Sequence, residues 1–387
     1  MEYYLMHKDI KVAEIEQNGI FFKIKDIYNK EHMPIGILGS IRPVNDAFRM
    51  WFNGRNIPSY RPNYSKLLNK LKITDFSELL QKDFFCSLTD CYRFSQTDNK
   101  NIEWKDISYF TNGFDSNIGE ILIKNNFEVE INNIHSPDIT TNGQLPKMWF
   151  EDSNGKFNLL KGAISEENHE VCSEVFAYNV FKAYNIPVVP YFFTKYNNSV
   201  YSVCESFIKN DQQEFVSMEQ IDAENGNGLY VGYDILCKNG FKKAIDQIDV
   251  IDYLVGNGDR HHGNIGIIRN PDTLKTLCLA PAFDNGNCMQ YDYSNKRAVE
   301  DCGSKLRYRG WNEELNNIKY FDWFKNSFVS FNDLSELYHK VTDNILPKDV
   351  IVSVLEQMQN RYDFLKEYIK SREYSIVSPN FQERGER

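Results

Sequence analysis

GNGDRHHGN, residues 256–264, crowds an aspartate, an arginine, two histidines and an asparagine into six positions and hinges them on three glycines. A polar turn that caps a helix has this composition, and so has the floor of an active site. The stretch that follows separates the two readings. After a short apolar hairpin, IGIIRN and TLCLAPAFD with an Asn-Pro-Asp turn between them, the segment APAFDNG places Asp284 at the end of a strand, 25 positions after Asp259. Either motif alone is ambiguous; together and in this order they favour chemistry over a solvated turn.

The chemistry they favour is phosphoryl transfer, which asks a protein for a base to orient an acceptor hydroxyl and for oxygen ligands to a magnesium ion on nucleotide phosphates. Asp259 is the group to accept the hydroxyl proton, while Asn264 and Asp284 both offer oxygen to a hard cation. Gly256, Gly258 and Gly263 let the backbone turn tightly and approach a ligand closely. His261 and His262 are adjacent and so point in different directions, with no third His or Cys near them in sequence. His261 is therefore expected to brace the loop through hydrogen bonds. Arg260 is left open between a carboxylate, a phosphorylated residue and solvent.

Outward from the loop, FKKAIDQIDVIDYLVGNG sets Phe241, Ala244, Ile245, Ile248, Ile251 and Val255 on one helical stripe ended by glycine. PKDVIVSVLEQMQNRYDFLKEYIKSR repeats Ile351, Val354, Leu355, Met358, Tyr362, Leu365 and Ile369 at helical spacing from Pro347, and the polar tail from Ser375 is expected to fray. Residues 208–387 thus read as a mostly helical unit. Residues 126–207 read as a small sheet with one helix: a strand at FEVEINN, a polar loop SPDITTNGQLPK, a hairpin MWFEDSNGKFNLLKGA turned at Asn154-Gly155, a helix with Val171, Val175 and Tyr178 on one face stopped by Pro187, then strands VVPYFFTKY and SVYSVCESFI about Asn197-Asn198. Residues 1–125 read as an accessory α+β domain, with strand-like segments IFFKIKDIY, MPIGIL and NIGEILI and a helix at NYSKLLNKLKI bearing Leu67, Leu68, Leu71 and Ile73. Two lobes of the kind that follow residue 125 enclose a cleft, where ligands usually bind.

Composition narrows the function classes. The chain has 387 residues, 42% of them hydrophobic, with 27 Phe and 23 Tyr, enough for two or three folded units. A formal charge of -10 supplies no basic field, so direct nucleic-acid contact is not expected. No stretch approaches the roughly 20 apolar residues of a membrane span, and the N-terminus does not resemble a signal peptide, so a cytoplasmic protein with no membrane partner is expected. Eight cysteines are scattered without a CxxC pair and read as small buried hydrophobes in a reducing compartment.

The run GDRHHGN…APAFD resembles the catalytic and metal-binding loops of HipA-type kinases, bacterial serine/threonine kinases of toxin-antitoxin modules related to the phosphatidylinositol-kinase-like fold. In that family an Asp is followed by His two residues on and Asn five residues on, positions held here by Asp259, His261 and Asn264, and the metal aspartate follows an aromatic residue, as Asp284 follows Phe283. TTNGQLPK is similar to the family's phosphate-binding loop, with Thr140, Gly143 and Lys147 in the places of its hydroxyl residue, glycine and lysine. The resemblance implies a two-lobed protein-kinase-like α+β fold behind a small N-terminal domain, with ATP and Mg2+ as cofactors. It further implies autophosphorylation at Thr140 or its neighbour Thr141. It implies that Lys161 meets nucleotide phosphates and pairs with Glu174, or failing that Glu170, and that Glu205 and Ser206 run past the adenine between the lobes. The expected acceptor is a protein hydroxyl, and an antitoxin-like partner is a further option. A loop close to the DRHxxN of lipid kinases leaves a small-molecule or lipid acceptor open, and a catalytically silent binding module is the rival from another class.

Overall fold

The computed structural model describes residues 1–377 apart from 20, 76–77, 80–82, 97–101, 125–127, 129, 132, 166, 197–198, 227–230, 301–302, 304–305 and 307–309. The N-terminal unit is built on an antiparallel sheet of β1 (Glu2–His7), β2 (Ile10–Asn18), β3 (Phe21–Ile27) and β4 (Tyr92–Gln96), in the order β3-β2-β1-β4. Tyr3, Leu5, Val12 and Ile15 point from this sheet into a core shared with Phe48 and Phe52 of the Val44–Asn53 helix and Ile118 and Leu122 of the Asn117–Lys124 helix. That core extends to Ile139, so it anchors the first turn of the polar loop SPDITTNGQLPK.

Two strand readings in this unit are corrected. NIGEILI is helical because Ile118, Ile121 and Leu122 fall at i, i+3 and i+4 and turn one apolar face inward, a pattern that prevails over simple alternation. MPIGIL forms turns, since Gly36 takes φ +95° and its N–H donates to Glu224 at 2.7 Å, docking the segment on a helix of the C-terminal unit. Phe127, Val129 and Asn132 of FEVEINN lie outside the described residues, as do Asn197 and Asn198, and the four described residues of FEVEINN form no strand.

A second antiparallel sheet contains β5 (Lys147–Glu151), β6 (Phe157–Lys161), β7 (Tyr191–Tyr196) and β8 (Ser199–Glu205), in the order β5-β6-β8-β7. At the β5–β6 turn only Gly155 takes positive φ, +75°; the carboxylate of Asp152 accepts from the N–H groups of Asn154 and Lys156 in place of the two-residue turn that the Asn-Gly pair announced. The His169–Ala183 helix buries Val171, Val175, Phe176, Val180 and Phe181, and ends before Pro187 because Asn185 goes left-handed at φ +57°.

The C-terminal unit carries a three-stranded sheet, β9 (Glu214–Ser217), β10 (Gly266–Arg269) and β11 (Thr276–Leu279), in the order β11-β10-β9. β10 and β11 are the expected hairpin, and β9 was not foreseen; Gly266 permits it, since a Cβ there would collide with the Val216 carbonyl of β9. The Lys242–Val255 helix buries Ile245, Ile248, Ile251 and Val255 as its stripe predicts, and buries Asp246, Asp249 and Asp252 as well. The Lys348–Val377 helix packs Ile351, Val354, Met358, Tyr362, Leu365 and Ile369 into the same core. Among the described residues no helix is long and apolar enough to cross a membrane. Cys86, Cys91, Cys172, Cys204 and Cys288 are buried free thiols, while Cys278 is exposed.

Candidate active site

The site begins where the Lys242–Val255 helix stops. Gly256 caps it at φ +64°, and a Cβ there would strike the Arg361 guanidinium, so glycine is required twice over. Asn257 then folds back, its N–H reaching the Asp252 carbonyl at 2.8 Å and its side chain donating to the Asp252 carboxylate at 2.9 Å. Of the other two glycines, neither Gly258 nor Gly263 takes positive φ; Gly263 is needed for space, its Cβ position lying 2.9 Å from the His261 ring.

Arg260, left open by sequence, is buried and is the keystone of the arrangement. Nε and Nη2 donate to the two carboxylate oxygens of buried Asp252 at 2.9 and 3.0 Å. Nη1 donates to the backbone carbonyls of Asn264 at 3.3 Å and Phe283 at 2.5 Å, and Nη2 also reaches the Asn285 side chain. One nitrogen thus binds the carbonyl of Asn264 and that of the residue before Asp284, which brings the two segments 259–264 and 283–287 side by side. The fork geometry of arginine is what allows one side chain to hold four partners.

Around this keystone the other groups converge. Asp259 is half-buried, and its Oδ2 accepts from the Asn287 side chain at 2.8 Å, tying the first loop to the second. The Nδ2 of buried Asn264 donates to the Asp259 carbonyl at 3.4 Å, which leaves Oδ1 as the oxygen the side chain can offer. His261 accepts from the Gly263 N–H through Nδ1 at 3.1 Å, a brace of the expected kind. His262 is buried between the Asp222 carboxylate and the Leu306 carbonyl; burial works against its charge, but these two acceptors raise its pKa on balance.

Lys161, at the end of β6, is buried and donates to Glu174 Oε1 at 2.6 Å and Asp284 Oδ1 at 2.7 Å. Burial alone would strip its proton, yet Asp284 and Glu174 together hold it charged. Asp284 is kept well below the ordinary carboxylate range, with Lys161 and Lys147 outweighing burial, whereas burial pushes Glu174 up. Glu174 Oε2 also accepts from the Asn285 N–H at 2.8 Å, so the helix glutamate grips both Lys161 and the segment after Asp284. Glu170 is occupied elsewhere, capping the loop at Ile164 and Ser165. Asp284 itself takes φ +58°, a left-handed conformation that costs roughly 1–2 kcal/mol for a residue with a Cβ, and these contacts hold it there.

The phosphate-loop candidates lie beside this cluster. Lys147 pairs directly across the β5–β6 ladder with Lys161. Burial, reinforced by Lys161, pushes its ammonium down to about 7, and its Nζ donates to the Asn142 carbonyl at 2.9 Å. Like charges opposite one another weaken a sheet, so the pair is placed at the expense of stability. Gly143 takes φ +100°, and a Cβ there would meet Lys147 Nζ. Thr140 is buried, its hydroxyl donating to the Cys86 carbonyl at 2.8 Å; the Thr141 hydroxyl donates to the Pro137 carbonyl at 2.7 Å and accepts from Trp149 Nε1 at 2.9 Å. Buried Asp138 anchors the loop root by accepting the Trp149 N–H at 2.9 Å.

Farther along β8, Glu205 is paired on the surface with Lys156 and Lys209, each a bridge of small energetic consequence. Ser206 is buried, its N–H donating to the Phe157 carbonyl and its hydroxyl to the Ile208 carbonyl, both at 2.8 Å. Sequence reasoning missed Asp252, Asn285, Asn287, the structural role of Arg260, and Tyr191, whose hydroxyl accepts from Lys161 Nζ and the Asp284 N–H, both at 3.4 Å. Asp252 left a signal, because Asp246, Asp249 and Asp252 recur every three residues inside an apolar helix, where a buried carboxylate demands a partner.

The donor set fits a magnesium ion. Asp284 and Asn264 both offer side-chain oxygen, and among the described residues no cluster of three or more His, Cys, Asp or Glu gathers to hold a metal without further ligands. Two protein oxygens complemented by phosphate oxygens and water is the ordinary arrangement for magnesium on a nucleotide.

No family model matches the sequence, and no curated protein is similar to it. Among solved structures, HipA of Shewanella oneidensis MR-1, seen in a toxin-antitoxin complex with HipB and operator DNA, resembles this chain with a TM-score of 0.51 at 13% identity, over 93% of this chain and 96% of that one. The Helicobacter pylori proinflammatory kinase CtkA gives a TM-score of 0.45 at 20% identity, over 56% of this chain and 90% of its own. The architecture is thus a mixed α+β fold of antiparallel sheets and helices. More narrowly, it is the HipA-like fold, matched over almost the whole chain.

Proposed function

We propose that this chain is an ATP- and magnesium-dependent kinase that phosphorylates a protein hydroxyl. The observation that carries the reading is the joint arrangement of Lys161 on Glu174 and Asp284 with Arg260 binding the carbonyls of Asn264 and Phe283. It assembles a buried cation, two oxygen donors and a half-exposed carboxylate from four separate segments. In the proposed reaction Lys161 and Lys147 meet the nucleotide phosphates, with Gly143 allowing the loop backbone to approach them. Asn264 and Asp284 hold magnesium, which supplies charge neutralisation on the phosphates. Asp259 orients the acceptor hydroxyl and takes its proton, while His261 braces the loop. Glu205 and Ser206 lie where the strand leaves for the C-terminal unit and are proposed to flank the base.

The three units are proposed as an N-terminal accessory domain over 1–125, an N-lobe over 126–207 and a helical C-lobe over 208–387. Thr140 and Thr141 are proposed as autophosphorylation sites; each hydroxyl has first to release the carbonyl it now binds. A partner protein comparable to HipB is proposed, whereas the net charge of -10 argues against direct DNA contact by this chain. A cytoplasmic location is proposed to match.

The test is label transfer from γ-labelled ATP by the purified chain, with and without magnesium, beside Asp259→Asn. Magnesium-dependent label on Thr140, Thr141 or an added protein, lost in the variant, supports the reading. Label confined to an added lipid or metabolite assigns the acceptor to the alternative class, and absence of transfer with intact nucleotide binding points to a silent binding module.

A further inference from the structure

We propose that Arg61, which comes from the N-terminal unit, is a positioning residue of the phosphate loop that orients its peptide groups for a triphosphate. The inference rests on the kinase reading and extends the machinery beyond the two lobes. Arg61 lies in the connection before the Tyr64–Leu71 helix and is only 2% exposed. Its Nε donates to the Gly143 carbonyl at 2.9 Å and its Nη2 to the Thr141 carbonyl at 2.5 Å. Two residues on, the Asn63 side chain donates to the Leu122 carbonyl at 3.0 Å, pinning the same connection to the Asn117–Lys124 helix.

The consequence follows from the planarity of the trans peptide, in which C=O and N–H point in opposite directions. Drawing the carbonyls of Thr141 and Gly143 toward Arg61 turns the N–H groups of Asn142 and Gln144 away from it, and neither is taken up by a partner within the described chain. The Asn142 carbonyl between them is held separately by Lys147 Nζ. The Gly143 N–H between them is taken by the Asn142 side-chain oxygen at 2.6 Å, so the open amides are those of alternate residues, and N–H groups aimed to one side form an anion-binding concavity. Gly143 at φ +100° supplies the conformation that the alternation requires.

Burying a guanidinium is costly, and here it has no direct carboxylate partner: its hydrogen bonds go to carbonyls, and Nη1 is buried without one. That expense is understandable if the loop's shape is what Arg61 secures. The arrangement also makes the N-terminal unit part of the nucleotide site, because the same unit docks on the C-terminal one through Lys8 and Asp272 at 2.8 Å and through buried His7 and Glu214 at 3.1 Å.

The test uses the full chain as wild type, Arg61→Gln and Arg61→Lys, with affinities for magnesium-ATP and for adenosine measured by calorimetry, and melting temperature recorded without ligand. Adenosine lacks phosphates and so does not sense the loop. ATP affinity is expected to fall about tenfold or more in both variants, with adenosine affinity unchanged within about twofold. Lysine does not rescue, since it cannot reproduce the planar fork that spans two carbonyls. ATP affinity within about twofold of wild type in either folded variant overturns the inference, and so does an equal loss for both ligands, which reports a general defect. If wild type itself fails to bind magnesium-ATP, the kinase reading falls and takes this inference with it.

Discussion

Arg260→Ala is the perturbation that probes the site's construction most severely. The guanidinium is 2% exposed, Asp252 is fully buried, and the substitution removes both guanidinium donors to that carboxylate, leaving it the Asn257 side chain, together with the bonds to Asn264, Phe283 and Asn285. Removing one partner of a buried ion pair costs about 3–5 kcal/mol, because the charge left behind is uncompensated. For a unit of this size each kcal/mol lowers the melting temperature by roughly 2–4 °C, so a fall of about 6–20 °C is expected. The assay is scanning calorimetry with urea unfolding as a second axis. Asp252→Ala combined with Arg260→Ala should recover part of the loss, since no lone carboxylate then remains, and the interaction energy from the cycle should exceed about 1 kcal/mol. An Arg260→Ala protein within about 1 kcal/mol of wild type, or strictly additive single and double variants, would refute the keystone role.

Three further outcomes follow from the geometry. Lys147→Met should raise ligand-free stability, on the order of 2 kcal/mol near neutral pH, while abolishing the thermal shift by magnesium-ATP, because the lysine is held at about 7 by burial and by Lys161. Its folded pKa lies below its unfolded one, so the unfolded chain binds more protons above about pH 7 and wild-type stability rises with pH; the gap to Lys147→Met in paired melts should narrow toward about pH 9, and a gap independent of pH would contradict the assignment. Asp284→Asn should leave the fold intact and weaken magnesium-nucleotide binding, and an unchanged ATP-induced thermal shift would count against the metal role. Gly143→Ala should lose ATP affinity and some stability together, since φ +100° and the nearby Lys147 ammonium both oppose a Cβ; calorimetry showing unaltered affinity would remove the requirement for glycine there.

Much of this was legible in the chain because it depends on spacing along it. The hairpin between Asn264 and Asp284, the apolar stripes of the Lys242–Val255 and Lys348–Val377 helices, and the turn residue Gly155 are local patterns, and the structure forms them. What escaped is non-local. Arg260 stays open between a carboxylate, a phosphorylated residue and solvent until Asp252, eight residues earlier and on the buried side of a helix, is seen to face it. β9 gives no signal of its own, because Glu214 owes its place to Arg269 and His7 from distant segments. NIGEILI fits alternation and helical spacing alike over seven residues, and only packing against β5 and the Tyr64–Leu71 helix decides between them. Arg61 could not be linked to the Thr140–Lys147 loop from sequence, since 80 positions separate it from Thr141.

The most direct test of the account is a crystal structure of the chain with magnesium and a non-hydrolysable ATP analogue. The triphosphate is predicted between Lys161 and the amides of Asn142 and Gln144, with magnesium on Asn264 and Asp284 and the γ-phosphate facing Asp259. A nucleotide bound elsewhere, or a metal that leaves both Asn264 and Asp284 untouched, would contradict it.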